Sequence, residues 1–188
     1  MHLNVEFQDK LDAKYEKDIW DILCECDKEF VPALSSREDT KAYDFSKKKN
    51  SEKPYTYYED VLKTAFVLAV DKDIDKVVGF MSFKNDYDNE KLKSYMPTNY
   101  ITTVCVKSEH RNKGICKMFY DFMFFSLPNE FVASSITTRT WSTNCKHMHI
   151  LENLKFDIIE CIKDGRGKGI DTIYYGRMIP NKVVHCIK

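Results

Sequence analysis

The sequence lacks a long apolar run, an excess of charge of either sign and any paired-cysteine motif. No apolar stretch approaches the ~20 residues that a membrane-spanning helix needs, so we expect no membrane association. Residues 1–6 do not resemble a signal peptide. The seven cysteines show neither C-x-x-C pairs nor zinc-ligand spacing, which indicates free thiols in a reducing cytoplasm and no metal site.

The charges of the chain balance. Lysine plus arginine and aspartate plus glutamate each number 29, so the net charge is zero. A balanced chain lacks the protein-wide basic field of many nucleic-acid-binding proteins, so nucleic acid is not expected as a partner, although a local basic patch stays open. With 188 residues, 43% of them hydrophobic, and with neither internal repeats nor a long linker, the chain is expected to form one domain over residues 1–188.

Strand and helix patterns alternate along the chain. β-Branched and aromatic runs predict strands, and apolar residues at spacings of three and four predict helices. The predicted strands cover residues 65–70, 77–83, 100–106, 132–140, 156–163 and 170–179. The predicted helices lie within 10–30, over 55–63 and from 115 until Pro128 ends the helix. The charged run at 46–53 predicts a solvated loop or a flexible flap near an acceptor site.

Two turns resemble ligand-binding loops without meeting their requirements. Residues 71–75 begin like a calcium loop, but Lys76 stands where the loop needs glycine and Ser82 where it needs glutamate. The glycines at 165–169 lie between two predicted strands and open no helix. We therefore predict two hairpin turns rather than a calcium site and a phosphate site.

The segment Arg111-Asn-Lys-Gly114-Ile-Cys116 lies between a predicted strand and a predicted helix. The first N–H groups of a helix have no partner within it, and the helix dipole favours an anion there. Gly114 has no Cβ, so a phosphate can approach the backbone, and Arg111 and Lys113 can add charged contacts. The turn therefore predicts a pyrophosphate site, the alternative being an ordinary basic helix start after a surface turn.

Together, this turn and the segment from Asn144 to Phe156 resemble the sequence motifs of a known family. Arg111-x-x-Gly114-x-Cys116 is similar to the acyl-CoA signature Q/R-x-x-G-x-G/A of the GNAT acetyltransferase superfamily, and Asn144 to Phe156 resembles the later pattern N-x-x-A-x-x-L-Y-x-x-x-G-F. Cys116 stands where glycine or alanine is usual. Leu151 stands where many members carry a tyrosine that protonates the leaving CoA thiolate.

The resemblance implies a GNAT-type α/β (α+β) fold, a mixed and mostly antiparallel sheet with a splayed parallel strand pair, flanked by helices. Acetyl-CoA would be the co-substrate, without a metal, and its pantetheine arm would lie between strands 100–106 and 132–140. The residues implied to bind the cofactor are Val104 and Val106 along the strand, Arg111, Asn112, Lys113, Gly114, Ile115 and Cys116 at the turn, and Asn144 through its side chain. For Asn144 the alternative is a helix cap.

The same resemblance implies a reaction, the transfer of an acetyl group to a primary amine of a small molecule or peptide by direct attack in a ternary complex. His147 lies one helical turn before Leu151 and could act as the acid, the alternative being a structural histidine. Tyr100 occupies a position where many relatives carry a glutamate and could contact the acceptor. Tyr174, or its neighbour Tyr175, could face the cleft.

Two other functions stay open at this point. Leu151 could mark a non-catalytic acyl-CoA-binding or sensor domain. Acylation of an aminoacyl-tRNA, as in toxin members of the family, is disfavoured by the neutral charge. A homodimer formed through strand edges is possible, and the sequence does not identify the acceptor.

Overall fold

A computed structural model describes residues 2–40 and 51–179, and these form a mixed seven-stranded sheet flanked by helices. The strands are β1 (Leu3–Gln8), β2 (Ala65–Asp71), β3 (Lys76–Lys84), β4 (Thr98–Val106), β5 (Ser135–Trp141), β6 (Asp157–Ile162) and β7 (Thr172–Met178). The helices are α1 (Ala13–Cys26), α2 (Tyr55–Val61), α3 (Ile115–Phe125) and α4 (Cys145–Asn153). The sheet order is β1-β2-β3-β4-β5-β7-β6.

The sheet is mostly antiparallel, with one exception that matters for function. Strands β4 and β5 are parallel, while every other neighbouring pair is antiparallel. A parallel pair needs a long crossover, and here α3 supplies it. The expected α/β fold with one parallel pair inside a mostly antiparallel sheet is confirmed.

The sheet is covered on both faces, which is why its central strands are almost continuously apolar. Every residue of β2 is buried. Its alternate side chains Phe66, Leu68 and Val70 pack with α1 and α2, whereas Val67 and Ala69 pack with α3 on the other face. Two separate cores therefore lie above and below the sheet, as expected for a strand buried on both sides.

Strand β1 is an element that the sequence analysis did not predict. Its residues alternate apolar and polar, and Leu3, Val5 and Phe7 pack against the α3 side of the sheet. The strand pairs antiparallel with β2 at the sheet edge. Six residues of alternating pattern predict a strand only weakly. The strand forms because its backbone pairs with that of β2.

The loop after α1 is held by a buried carboxylate. Asp27 is only 3% exposed, and it accepts hydrogen bonds from the Ser35 amide at 2.6 Å and from the Ser35 hydroxyl at 2.9 Å. These bonds satisfy a charge that would be costly to bury alone. They fold the chain back so that Phe30, Val31 and Arg37 lie near the sheet end where β5 finishes and β7 begins.

The two hairpin turns are found where the sequence predicts them, joining β2 to β3 and β6 to β7. In the ranges 2–40 and 51–179, no helix is both long and apolar enough to cross a membrane. The predicted loop at 46–53 falls mainly on residues 46–50, which lie outside the described residues.

Candidate active site

The parallel strands β4 and β5 separate partway along their length. Their ladder joins Thr98 to Ser135 and ends where Ile101 meets Thr138. Beyond that point β4 stays paired with β3 and β5 stays paired with β7. Between the diverging ends lies a cavity of about 690 Å³, lined by β4 from Ile101 to Val106 and by β5 from Thr138 to Trp141. The predicted splay is therefore present in the geometry.

The turn that precedes α3 forms one end of this cavity. Gly114 is the N-cap residue with φ +78°, and Asn112 also has a left-handed φ of +61°. A Cβ added at Gly114 would meet nothing within 4 Å, so space does not limit the side chain here. Glycine is favoured at this position because of the left-handed backbone angle. Asn112, Gly114, Ile115 and Cys116 line the cavity, whereas Lys113 lies outside its lining. The first amides of α3 are thus presented at the cavity end, where an anion would be favoured.

Arg111 lines the cavity, but its guanidinium is directed toward the end of α1. Its Nε donates to the Val106 carbonyl at 2.9 Å, and its Nη1 is 2.9 Å from Glu29 Oε1. Its Nη2 lies 3.6 Å from the Cys26 sulfur. In this arrangement Arg111 fastens the turn to the α1 side of the sheet, and an incoming phosphate would compete with Glu29 for it.

Asn144 joins β5 to α4. Its Oδ1 accepts from the His147 amide at 3.4 Å, and its Nδ2 donates to Thr140 Oγ1 at 3.2 Å. The side chain therefore caps α4, which is the structural alternative considered from the sequence. Asn144 also lines the cavity, so a contact with the cofactor arm would be made by an already anchored side chain.

His147 lines the cavity, and its Nε2 lies 2.9 Å from the hydroxyl of Tyr120 on α3. Burial disfavours the imidazolium and lowers the pKa of His147 to about 4, so the ring is neutral at pH 7. Burial also raises the pKa of the Tyr120 hydroxyl well above its usual value. Leu151, one turn further along α4, is fully buried in the core. Tyr120 was not predicted as a site residue, because in the sequence it fits the apolar pattern of the buried face of α3.

Tyr100 and Tyr174 are close together but lie outside the cavity lining. They form a small buried cluster with Tyr87, whose ring stacks on Tyr100 at 4.6 Å between centroids. The Tyr174 hydroxyl lies 3.4 Å from Nη1 of Arg139. Tyr175 packs into the core on the opposite face of the sheet. Of the two predicted catalytic tyrosines, Tyr174 therefore contacts Arg139, and neither tyrosine lines the cavity.

Arg139 is the cavity residue that the sequence analysis missed most clearly. It interrupts the β-branched run of β5 at the first position after the ladder with β4 ends. Its guanidinium donates to the Tyr174 hydroxyl and, at 3.2 Å, to the Thr40 carbonyl. The available signal was an arginine within a strand whose neighbours are otherwise suited to burial.

Three of the described cysteines line the cavity, namely Cys26, Cys105 and Cys116. Burial raises the pKa of the Cys116 thiol to about 12, which keeps it protonated. The six cysteines within the described ranges are free thiols. No group of three or more His, Cys, Asp or Glu side chains suited to a metal ion occurs in the part of the chain that the structure describes.

Comparisons with known proteins agree with this geometry. No curated relative matches the chain in sequence. NAA60 of Arabidopsis thaliana, solved with a bisubstrate analogue, has a TM-score of 0.62 at 14% identity, covering 93% of this chain and 98% of that one. The yncA protein of Salmonella typhimurium, solved with its cofactor acetyl-CoA, has a TM-score of 0.61 at 13% identity, covering 96% of each chain. An N-acetyltransferase of Staphylococcus aureus Mu50 has a TM-score of 0.61 at 11% identity, covering 94% and 99%.

These structures show that the fold is shared, whereas membership of a family is shown by the sequence. The sequence model of the acetyltransferase (GNAT) family matches residues 18–149, which include the splayed strands, the turn before α3 and most of α4. The chain belongs to the GNAT acetyltransferase family.

Proposed function

We propose that this protein transfers the acetyl group of acetyl-CoA to a primary amine by direct attack of the amine in a ternary complex. The observation that carries the proposal is the end of the β4–β5 ladder at Ile101 and Thr138, which opens a cavity leading to the first amides of α3. The family uses acetyl-CoA as its acyl donor. The acetyl-CoA in the yncA structure and the bisubstrate analogue in the NAA60 structure support the donor and the ternary complex.

The cavity fits the donor in two places. A strand edge that no longer pairs with its neighbour can bond the amides of a pantetheine arm, and Val104 and Val106 lie on that part of β4. The amides from Gly114 to Cys116 can hold the pyrophosphate at the start of α3. The Val106 carbonyl already accepts from Arg111, so we assign the pantetheine contact chiefly to Val104.

The reaction needs few groups from the protein. Holding the amine against the thioester carbonyl supplies much of the acceleration, because a bimolecular step becomes effectively unimolecular. The neutral amine attacks, the C–N bond forms, the C–S bond breaks, and the nitrogen releases a proton to water. The thiolate has a pKa near 8.5, which makes it a tolerable leaving group without an acid. The buried Leu151 therefore does not by itself abolish the activity.

His147 is the cavity side chain best placed to assist the leaving thiolate. When the Tyr120 hydroxyl donates to Nε2, the neutral imidazole carries its hydrogen on Nδ1 and can donate a hydrogen bond. A neutral imidazole is a weak acid, so we assign it stabilisation of the thiolate rather than complete proton transfer. A His147→Gln variant should therefore reduce kcat moderately while leaving acetyl-CoA affinity nearly unchanged.

Two measurements test the proposal. Calorimetric titration of the purified chain with acetyl-CoA should show binding, and release of free CoA thiol from acetyl-CoA should depend on an added primary amine. Binding without turnover on any amine would instead support an acyl-CoA sensor. Absence of binding would refute the donor assignment and the function with it.

A further inference from the structure

Two cysteine side chains from distant parts of the chain meet in the wall of the cavity. Cys26 is the last residue of α1, and Cys105 lies on β4 beyond the point where its ladder with β5 ends. Both residues line the cavity and belong to the same buried core cluster. The Cys26 sulfur lies 4.0 Å from the carbonyl oxygen of Val106, the residue that follows Cys105. The two thiols therefore share one part of the cavity wall.

The surroundings of Cys26 favour its thiolate. A hydrogen bond with the Cys105 side chain is the first cause that lowers the pKa of the Cys26 thiol. The charge of Arg111 lowers this pKa as well, and Nη2 of Arg111 is 3.6 Å from the Cys26 sulfur. Burial and the carboxylates of Glu25 and Glu29 oppose these effects without cancelling them. Because the thiolate is the reactive form of cysteine, Cys26 is the more nucleophilic sulfur of the pair.

Cys105 has the complementary character. Burial, followed by the hydrogen bond with Cys26, raises the pKa of the Cys105 thiol well above its usual value. Cys105 therefore keeps its proton, whereas Cys26 loses its proton more easily than an ordinary cysteine. A nucleophilic cysteine beside a second thiol is the arrangement of redox-sensitive pairs, in which the second sulfur reacts with the oxidised first one.

The cavity gives small molecules a route to these sulfurs. Cys26 and Cys105 are only 2% and 3% exposed, so reagents larger than the cavity do not reach them. The cavity has a volume of about 690 Å³, which is ample for a molecule as small as hydrogen peroxide. Under the proposed function, acetyl-CoA lies in the same cavity. A peroxide and the cofactor therefore compete for the space in front of the two thiols.

We propose that Cys26 and Cys105 form a reversible disulfide when a peroxide enters the cavity, and that bound acetyl-CoA protects them from this oxidation. The disulfide rests on the two thiols alone, whereas the protection rests on the proposed function. The six cysteines within the described ranges are free thiols, so the structure represents the reduced form of the pair. The protein would then be oxidised mainly while its cofactor is scarce.

The oxidation consumes one hydrogen peroxide for each pair of thiols. The Cys26 thiolate attacks one peroxide oxygen, so the S–O bond forms, the O–O bond breaks, and the leaving hydroxide takes up the proton that Cys26 released. The product is a sulfenic acid on Cys26 and one water. The Cys105 sulfur then attacks the Cys26 sulfur, so the S–S bond forms, the S–O bond breaks, and the leaving hydroxide takes the Cys105 proton to give a second water. Two electrons pass from the sulfurs to the peroxide, and a dithiol such as dithiothreitol returns them.

Peptide mapping of the purified chain tests the disulfide. The protein is treated with hydrogen peroxide, its remaining thiols are alkylated with iodoacetamide, and it is digested with trypsin. Cleavage after lysine releases residues 18–28, which contain Cys24 and Cys26, and residues 94–107, which contain Cys105. Mass spectrometry should find these two peptides linked after peroxide treatment, and dithiothreitol should separate them. Without peroxide, both peptides should be alkylated and unlinked.

Three variants identify the sulfurs. Cys24→Ser is the matched control, because Cys24 lies on α1 two residues before Cys26 but outside the cavity lining, and the link should remain. In this variant the peptide 18–28 contains a single cysteine, so the link identifies Cys26 even where another variant fails to fold. Cys26→Ser should abolish the link. Cys105→Ser should leave Cys26 as a sulfenic acid, which dimedone traps as a stable adduct.

Protection by acetyl-CoA is measured as the rate at which the linked peptides form. With acetyl-CoA at about 100 times its dissociation constant, only about 1% of the protein is unliganded, so the rate should fall by up to about a hundredfold. Free glutathione in the same solution is the control for peroxide consumption, and acetyl-CoA should not slow its oxidation. Circular dichroism and melting temperature should establish that each variant is folded before rates are compared.

The possible results separate this inference from the proposed function. Absence of the linked peptides, or a link from Cys26 to any cysteine other than Cys105, would overturn the disulfide, since both side chains would then serve only as apolar packing. An unchanged rate in the presence of bound acetyl-CoA would overturn the protection. Failure of acetyl-CoA itself to bind would refute the proposed function and the protection together, and the disulfide would still be decided by the peptide mapping.

Discussion

The assignment of the pyrophosphate to the start of α3 can be tested with two variants of one residue. Gly114 has φ +78°, an angle that asparagine and aspartate tolerate better than other side chains, and it is exposed with open space around it. Gly114→Asn and Gly114→Asp should therefore fold with similar stability. They have nearly the same shape and differ mainly by one negative charge.

The size of that charge effect follows from the geometry of the turn. A carboxylate at Gly114 would lie about 5–7 Å from the two charges of a pyrophosphate held by the first amides of α3, and with a dielectric constant of about 40–80 the repulsion is about 1.5–3 kcal/mol. The aspartate variant should then bind acetyl-CoA ~10- to 150-fold more weakly than the asparagine variant. The difference should shrink as salt is added, because the site is open to solvent.

Calorimetry with acetyl-CoA measures both affinities, and acetyl-pantetheine, which has no pyrophosphate, is the control ligand. The two variants should bind acetyl-pantetheine alike. Equal affinity of the two variants for acetyl-CoA at low salt would contradict the assignment, and the turn would then be only a structural entry to α3.

Three further changes test other parts of the structure. The pKa of His147 is lowered from 6.5 to about 4 in the folded protein, so unfolding takes up a proton when the pH lies between these two values. The free energy of unfolding should therefore fall as the pH drops from 6.5 to 4. Urea titrations of His147→Gln should show a weaker dependence on pH. Arg111→Ala should lower the free energy of unfolding by about 1–2 kcal/mol, because it loses charged hydrogen bonds to Glu29 and to a backbone carbonyl; an unchanged urea midpoint would show that these bonds contribute nothing. Asp27→Ala should cost about 2–3 kcal/mol, since it leaves the buried Ser35 amide without its acceptor; a loss no larger than that of an exposed carboxylate on α1 would contradict this role.

Much of the donor half of the site follows from local sequence. The turn at 111–116 needs a left-handed residue and an amphipathic helix after it, and both are properties of a few consecutive residues. The strands from 65 to 106 are visible as apolar and β-branched runs for the same reason. The family resemblance adds the separation of β4 and β5, which no local pattern contains.

The arrangement of arginines beside the cavity depends on the order of the strands and on where long side chains reach. Arg37, Arg139 and Arg166 become neighbours only because β5 and β7 pair and the loop after α1 folds over their ends. Tyr100 and Tyr174 share a small buried cluster outside the cavity lining, because the order of the strands brings them together.

The sequence by itself therefore determined the helix start, the strands from β2 onward and the family to which they belong, since these depend on backbone angles and periodicity within short segments. The tertiary structure alone decided that the guanidinium of Arg111 binds Glu29 and that His147 meets Tyr120. It also decided that Arg37, Arg139 and Arg166 lie near one another beside the cavity. Contacts between residues far apart in the chain depend on packing and sheet order, which no local pattern encodes.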